Sequence, residues 1–98
     1  MQTLTIDLIS SDASIRNGEP CILGTDIRVT DVTIAHIFHQ RSADEVACDY
    51  DLSLAQVYAA LSYYYENKIV LDETIRRQIL QARQLKEARI GSKDSLLS

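Results

Sequence analysis

Residues 42–65 read SADEVACDYDLSLAQVYAALSYYY, and this stretch determines the expected fold. It contains two capping boxes, Ser-x-x-Glu from Ser42 and Ser-x-x-Gln from Ser53, whose side chains satisfy unpaired N–H groups at a helix start. Apolar residues then recur at spacings of three and four and extend the second of these helices to about residue 66. Only residues 49–52 connect the two helices, so the chain must turn sharply. The stretch therefore predicts a helix-turn-helix layout.

The residues before this stretch predict a small β-element. Residues 4–9 alternate apolar and polar side chains as far as Leu8, which is typical of a short strand that ends before the turn at Ser10. Residues 21–23 and 27–29 flank Gly24-Thr25-Asp26, which predicts a hairpin whose three-residue loop uses the permissive backbone of glycine. We therefore expect two or three short strands first.

One more helix is expected before the central pair and one after it. Apolar residues at helical spacing predict a helix over about 31–40, with Thr30 placed to cap its start. A long helix over about 71–89 is predicted by an apolar stripe of Leu71, Ile75, Ile79, Ala82 and Leu85 or Lys86. Gly91 is expected to end that helix.

Length and composition indicate one globular domain. The chain has 98 residues, 46% of them hydrophobic and 24% charged, which suits a single modest core. The expected fold is mainly α with a small β-element: an N-terminal hairpin and a trihelical helix-turn-helix unit over 1–70, then a C-terminal amphipathic helix and tail over 71–98 of the same domain. The sequence has no apolar run long enough to cross a bilayer, and its N-terminus has no basic segment followed by a hydrophobic stretch. We therefore expect a cytoplasmic protein that contacts no membrane.

Charge is distributed unevenly along the chain. Residues 1–66 contain three basic and ten acidic residues, a net charge of −7, whereas residues 67–98 contain seven basic and four acidic residues, a net charge of +3. An imbalance of this kind often marks different contact surfaces. A polyanionic partner is therefore expected to prefer the C-terminal part.

The sequence offers no recognisable apparatus for catalysis. It has no Gly-x-Ser-x-Gly elbow, no glycine-rich phosphate loop and no nucleophile paired with a base. His36 and His39 share a helix face but lack a third metal ligand nearby, and Asp49 and Asp51 are better explained by capping and turn formation. We expect a protein that is not an enzyme, with no cofactor, no metal and no small-molecule substrate.

Three segments of the chain carry a family resemblance. These are GEPCILGTDIRV at 18–29, SADEV at 42–46 and LSLAQVYAALSYY at 52–64. They resemble the domain-of-unknown-function family 433, whose pattern reads Gly-x-Pro-[Val/Cys]-Ile-x-Gly-Thr-Arg-Ile-x-Val before two helix starts, and the likeness covers roughly residues 4–66. The chain departs from the pattern at Asp26, where the family usually has arginine.

The resemblance implies a fold and a function. Members look like a short β-element leading into a homeodomain-like three-helix unit, and many are thought to act as antitoxins beside PIN-like ribonuclease toxins. The resemblance therefore implies an antitoxin-like protein that binds and neutralises such a toxin, with operator DNA bound by a homodimer as a further expectation. The alternative is a non-catalytic protein-interaction or scaffold module without nucleic-acid binding. A PIN-like gene beside this one would favour the first interpretation.

Three sets of candidate site residues follow from these expectations. In a DNA-binding helix-turn-helix unit the third helix would be the recognition helix, and the candidate DNA contacts are Arg28, Arg41, Gln56, Ser62 and Tyr63. The outward positions of this helix include no Arg or Lys, so a purely structural trihelical unit is the alternative. The fourth helix combines an apolar stripe with a basic face, and the candidate toxin contacts are Arg76, Ile79, Arg83, Lys86 and Arg89. Tyrosines exceed what one helix face can bury, and the candidate dimer contacts are Tyr58, Tyr63 and Tyr65.

Overall fold

The computed structural model describes the backbone of residues 1–97 and the side chains of residues 1–88. The chain divides into two units, Met1–Lys68 and Ile69–Ser98. The structure is mainly helical with a two-stranded β-element. Its elements are β1 (Ile9–Ser10), a 3-10 turn (Arg16–Gly18), β2 (Cys21–Ile22), α1 (Val29–Thr33) continuing into a π-helical segment (Ile34–Phe38), α2 (Ala43–Tyr50), α3 (Leu54–Glu66) and α4 (Lys68–Leu97).

Both predicted capping boxes are formed, and they fix the helix-turn-helix. Ser42 Oγ accepts a hydrogen bond from the Glu45 N–H at 3.1 Å, and the Glu45 carboxylate accepts one from the Ser42 N–H at 3.0 Å. Ser53 and Gln56 repeat the arrangement at 3.1 and 2.8 Å. The turn between α2 and α3 passes through Asp51 in the left-handed region, with φ 55°. The predicted second and third helices are therefore confirmed.

The β-element differs from the prediction in the extent of its strands. β1 pairs antiparallel with β2, and Ile9 lies opposite Ile22. The predicted strand over residues 4–9 forms only at its end, where Ile9 enters β1 and the Leu8 carbonyl accepts a hydrogen bond from the Leu23 N–H at 2.8 Å. Leu4 and Ile6 are exposed and lie outside β1, because alternation alone supplies no partner strand. The predicted hairpin around Gly24 is reduced to one bridge between Cys21 and Arg28.

The first helix begins earlier and ends differently than predicted. It starts at Val29, whose N–H donates to the Pro20 carbonyl at 2.9 Å, and the Asp31 carboxylate accepts from the Arg28 N–H at 3.0 Å. Thr30 therefore lies inside the first turn instead of capping it. The helix then widens into the π-helical segment, closed by a bond from the His39 N–H to the Ile34 carbonyl at 3.0 Å.

The core of the first unit lies between α3 and the two helices before it. α1 and α2 both contact α3. One face of α3 is buried, and its outward face remains free to form a site. The largest fully buried side chains of this unit are Ile22, Val29, Val32, Thr33, Val46 and Val57.

Helix α4 is longer than predicted at both ends. It begins at Lys68 and continues through Gly91 to Leu97. Gly91 does not end the helix, because a glycine in a helix interior costs only about 1 kcal/mol relative to alanine. The predicted tail thus continues the helix, and Ser98 lies outside the described residues. No helix in the described part of the chain is long and apolar enough to cross a membrane.

Candidate functional site

Arg28, a candidate DNA contact, is held by carboxylates of its own chain. Its guanidinium lies 2.8 Å from Asp31 and 3.2 Å from Glu19, and its side chain is only 22% exposed. The pKa of Arg28 is raised, mainly by the side-chain hydrogen bonds with Asp31. Reaching a phosphate would require breaking these pairs, so Arg28 is a structural residue of the β-element and α1 in this conformation.

Arg41, which lies between the π-helical segment and α2, is paired in the same way. Its guanidinium lies 2.7 Å from the Asp49 carboxylate and 2.8 Å from that of Glu45. The pKa of Arg41 is raised, mainly by the side-chain hydrogen bonds with Asp49. Both arginines predicted to contact DNA are therefore neutralised within the chain, although Arg41 is partly exposed.

The outward face of α3 forms one wall of a groove of about 600 Å³, which we call the α3 groove. The N-terminal segment forms the other wall, so the groove lies within the first unit. Its lining residues are Ile6, Asp7, Leu8, Ile9, Ala55, Tyr58, Ala59, Ser62, Tyr63 and Glu66. The lining includes two acidic residues and no basic residue, which does not suit a phosphate backbone.

The candidate residues on α3 do not form one surface. Ser62 and Tyr63 line the α3 groove. The Gln56 side chain is occupied by the capping box with Ser53. Tyr58 also lines the groove, whereas Tyr65 packs edge-on against Tyr64, with ring centroids 5.1 Å apart. The predicted dimer tyrosines are thus separated into two places.

The candidate toxin contacts lie on α4. Arg76, Arg83 and Lys86 are exposed, and Ile79 is half-buried. No ion pair of these three cations occurs among the residues whose side chains are described. Arg89 was predicted to belong to the same set, and its side chain lies outside the described ones. Arg76, Arg83 and Lys86 are therefore available to a partner.

The two histidines do not lie in a metal-binding cluster. Within residues 1–88, no group of three or more His, Cys, Asp or Glu side chains is placed to hold a metal ion. His36 Nδ1 is hydrogen-bonded to the Arg41 carbonyl at 2.7 Å, which ties the π-helical segment to the start of α2. His36 therefore makes a structural contact in this conformation.

Sequence reasoning missed the α3 groove. The missing part was the N-terminal wall, because the alternation of residues 4–8 was interpreted as strand pairing. The outward row of Ala55, Ala59 and Ser62 was visible in the sequence as small residues at helical spacing. Their position beside Ile6 and Leu8 depends on a tertiary contact that no local pattern encodes.

The β-element followed by a doubly capped helix pair defines a small helix-turn-helix protein. The family described as "Protein of unknown function (DUF433)" matches residues 9–64, more than half of the chain, and the chain belongs to this family. No curated protein and no solved structure matches the chain.

Proposed function

We propose that this protein is an antitoxin-like binding protein that attaches to an acidic surface of a partner through α4. A PIN-like ribonuclease is the partner that the family resemblance implies. The observation that carries the proposal is the apolar stripe of α4, which continues into an exposed part of the helix beside cations that make no ion pair with a described side chain. The function is binding, with no chemistry assigned to this chain.

The apolar stripe becomes exposed along α4. Ile75 is 1% exposed, Ile79 is half-buried, and Leu85 is 56% exposed. Because burying a leucine side chain contributes about 1.5–3 kcal/mol, an uncovered stripe supports attachment to an apolar groove. Residues 79–86 of α4 therefore have the pattern of a helix that docks.

The charges beside the stripe favour an acidic partner. Helical spacing places Arg83 and Lys86 next to Ala82 and Ile79, and Arg76 lies one turn earlier. Guanidinium groups pair with carboxylates through two parallel hydrogen bonds. PIN-like nucleases hold magnesium with clustered carboxylates, by family resemblance. An inserted arginine would pair with those carboxylates and displace the metal, which gives inhibition a physical cause.

DNA binding has less support than protein binding. Arg28 and Arg41 are paired with carboxylates, and the outward face of α3 carries Glu66 and no cation. Operator binding by a homodimer therefore stays a prediction that depends on a partner or on a rearrangement of these ion pairs. The alternative function, an interaction module without nucleic-acid binding, is favoured by the same ion pairs and differs only in the partner.

The test uses the full chain and the PIN-like nuclease encoded by the neighbouring reading frame. Calorimetry should give a saturable complex, and the complex should lose ribonuclease activity. The double variant R83Q/K86Q should weaken binding at least about tenfold, the effect of losing two partly buried charge pairs. Wild-type affinity in this variant would overturn the proposed role of α4.

A matched control separates position from net charge. The variant Q81E/Q84E lowers the net charge of α4 by the same amount at exposed positions outside the stripe. It should bind like the wild-type chain. If the neighbouring frame encodes no PIN-like nuclease, or if the nuclease stays active in the complex, the antitoxin role is lost and the interaction module is retained.

A further inference from the structure

We propose that the α3 groove is a second docking site, which binds an apolar segment of a partner protein that carries a lysine or arginine. This site lies in the first unit and is separate from the α4 stripe of the proposed function. Its chemistry is opposite to that of α4, because it offers carboxylates where α4 offers cations. The inference therefore assigns the chain two protein-binding surfaces of opposite charge preference.

The shape of the groove suits a protein segment. The Ala55, Ala59 and Ser62 side chains are small, so an incoming side chain can approach the α3 backbone. Tyr58 and Tyr63 stand on either side of this row, and Tyr58 is 58% exposed. Tyrosine is enriched at interfaces because its ring buries a large area while its hydroxyl keeps a polar contact.

The opposite wall adds exposed apolar area. Ile6 is 79% exposed and Leu8 is half-buried, and both line the groove. Adjacent to them, Leu4 is 83% exposed. Large apolar side chains concentrated around one concavity are a recognised mark of protein-binding sites. A segment that fills the groove would cover these side chains.

The charges of the groove select a cationic occupant. Asp7 and Glu66 are both exposed, and neither makes an ion pair with a residue whose side chain is described. A lysine or arginine placed in the groove would meet these carboxylates and the tyrosine faces, which attract cations through their ring electrons.

The same charges disfavour two other occupants. DNA would bring phosphates towards Asp7 and Glu66, which repel them. A second copy docking face to face through a two-fold axis would bring the same two carboxylates of each chain into one interface, where like charges oppose association. A cationic apolar segment of a different protein avoids both penalties.

A selection from a random linear peptide library tests the proposal. The full wild-type chain is the bait, and each selected peptide is then measured by fluorescence anisotropy against variants. Selected peptides should be enriched in lysine or arginine beside leucine, isoleucine, phenylalanine or tyrosine. The variant A59W, which fills the groove, and D7N/E66Q, which removes its charges, should each weaken binding at least about tenfold. Asp7 and Glu66 are exposed, so D7N/E66Q should keep the fold. This variant therefore still tests the groove if A59W fails to fold.

Two controls make the result decisive. D26N/E73Q removes two exposed acids elsewhere and should leave peptide binding unchanged, and R83Q/K86Q should also leave it unchanged, so the groove and the α4 stripe are tested separately. The proposal is overturned if the library yields no peptide sensitive to D7N/E66Q, or if the selected peptides lack a cationic preference. It is also overturned if the wild-type chain sediments as a dimer that A59W dissociates, because a second copy then fills the groove.

Discussion

The Asp31 carboxylate accepts hydrogen bonds from both the backbone and the side chain of Arg28. The Arg28 N–H donates at 3.0 Å, and its Nη2 lies 2.8 Å from Asp31 Oδ1. The same guanidinium contacts Glu19, which precedes β2. This pair therefore joins the start of α1 to the β-element that comes before it. A single carboxylate performs the capping that the sequence suggested for Thr30.

Replacing Asp31 with alanine should lower the free energy of unfolding by about 1–3 kcal/mol, because the half-buried Arg28 N–H loses its acceptor and the guanidinium keeps only Glu19. Urea unfolding followed by circular dichroism measures the change. Asp44→Ala is the matched control, since Asp44 lies in the first turn of α2 and is exposed. It should cost only about 0.3–1 kcal/mol through the helix dipole. Equal losses in the two variants would contradict the capping role.

Two threonines one turn apart in α1 should respond in opposite directions to the same substitution. Thr30 is 3% exposed and its hydroxyl has no hydrogen-bond partner among the described residues, whereas the buried Thr33 hydroxyl donates to the Val29 carbonyl at 2.9 Å. Thr30→Val removes an unsatisfied polar group and should stabilise the protein by about 1 kcal/mol. Thr33→Val loses a buried hydrogen bond and should destabilise it by about 0.5–1.5 kcal/mol.

Each threonine variant is the control of the other, because both substitutions keep a β-branched shape and delete one hydroxyl. Thermal unfolding monitored at one heating rate is sufficient to rank them. If both variants lost stability equally, the Thr30 hydroxyl would have a partner in solution, and the assignment of Thr30 as unsatisfied would be wrong.

Local signals in this sequence predicted local structure well. The serine capping boxes at Ser42 and Ser53 act within four residues, so the sequence alone located α2 and α3. The pairing of Arg41 with Asp49 spans eight residues and depends on how the chain enters α2. The α3 groove depends on the N-terminal segment meeting a helix some fifty residues later. Such contacts are decided by packing, which the periodicity of one segment does not contain.

The stability contributed by the α2 capping box should depend on pH. The pKa of Glu45 is lowered, first by the hydrogen bond from the Ser42 backbone, then by the hydrogen bond with the Ser42 side chain and by the nearby charge of Arg41. A carboxylate whose pKa is lower in the folded state stabilises the protein above the pKa of the unfolded state, about 4.3, and this contribution is lost as pH falls below it. Glu45→Gln should therefore be less stable than the wild-type chain at pH 7, and the difference should shrink at pH 3.

Gln56 provides the reciprocal control for this prediction. It occupies the same place in the α3 capping box without a charge. Gln56→Glu should gain stability relative to the wild-type chain at pH 7 and lose that gain at pH 3. Urea unfolding at the two pH values measures both differences. A Glu45→Gln difference that stayed constant with pH would exclude a charged contribution from the capping box.

The free chain should bind DNA weakly, because its arginines near the helix-turn-helix are paired with carboxylates. Fluorescence anisotropy with a short labelled duplex should detect at most weak binding that disappears as salt rises. The double variant D49N/E45Q removes both carboxylates from Arg41 and keeps an amide in the capping box. It should bind the duplex more tightly, and the slope of log affinity against log salt should steepen by about one, because the released Arg41 neutralises one further phosphate.

The control D51N/D44N removes two exposed acids that do not contact Arg41, and Asn tolerates the left-handed backbone at Asp51. D51N/D44N has the same net charge as D49N/E45Q. It should therefore show only the small increase in DNA affinity that reduced long-range repulsion gives. Equal increases in DNA affinity in the two variants would mean that Arg41 is not the residue released. Tight, salt-insensitive binding by the wild-type chain would mean that these ion pairs do not limit DNA binding.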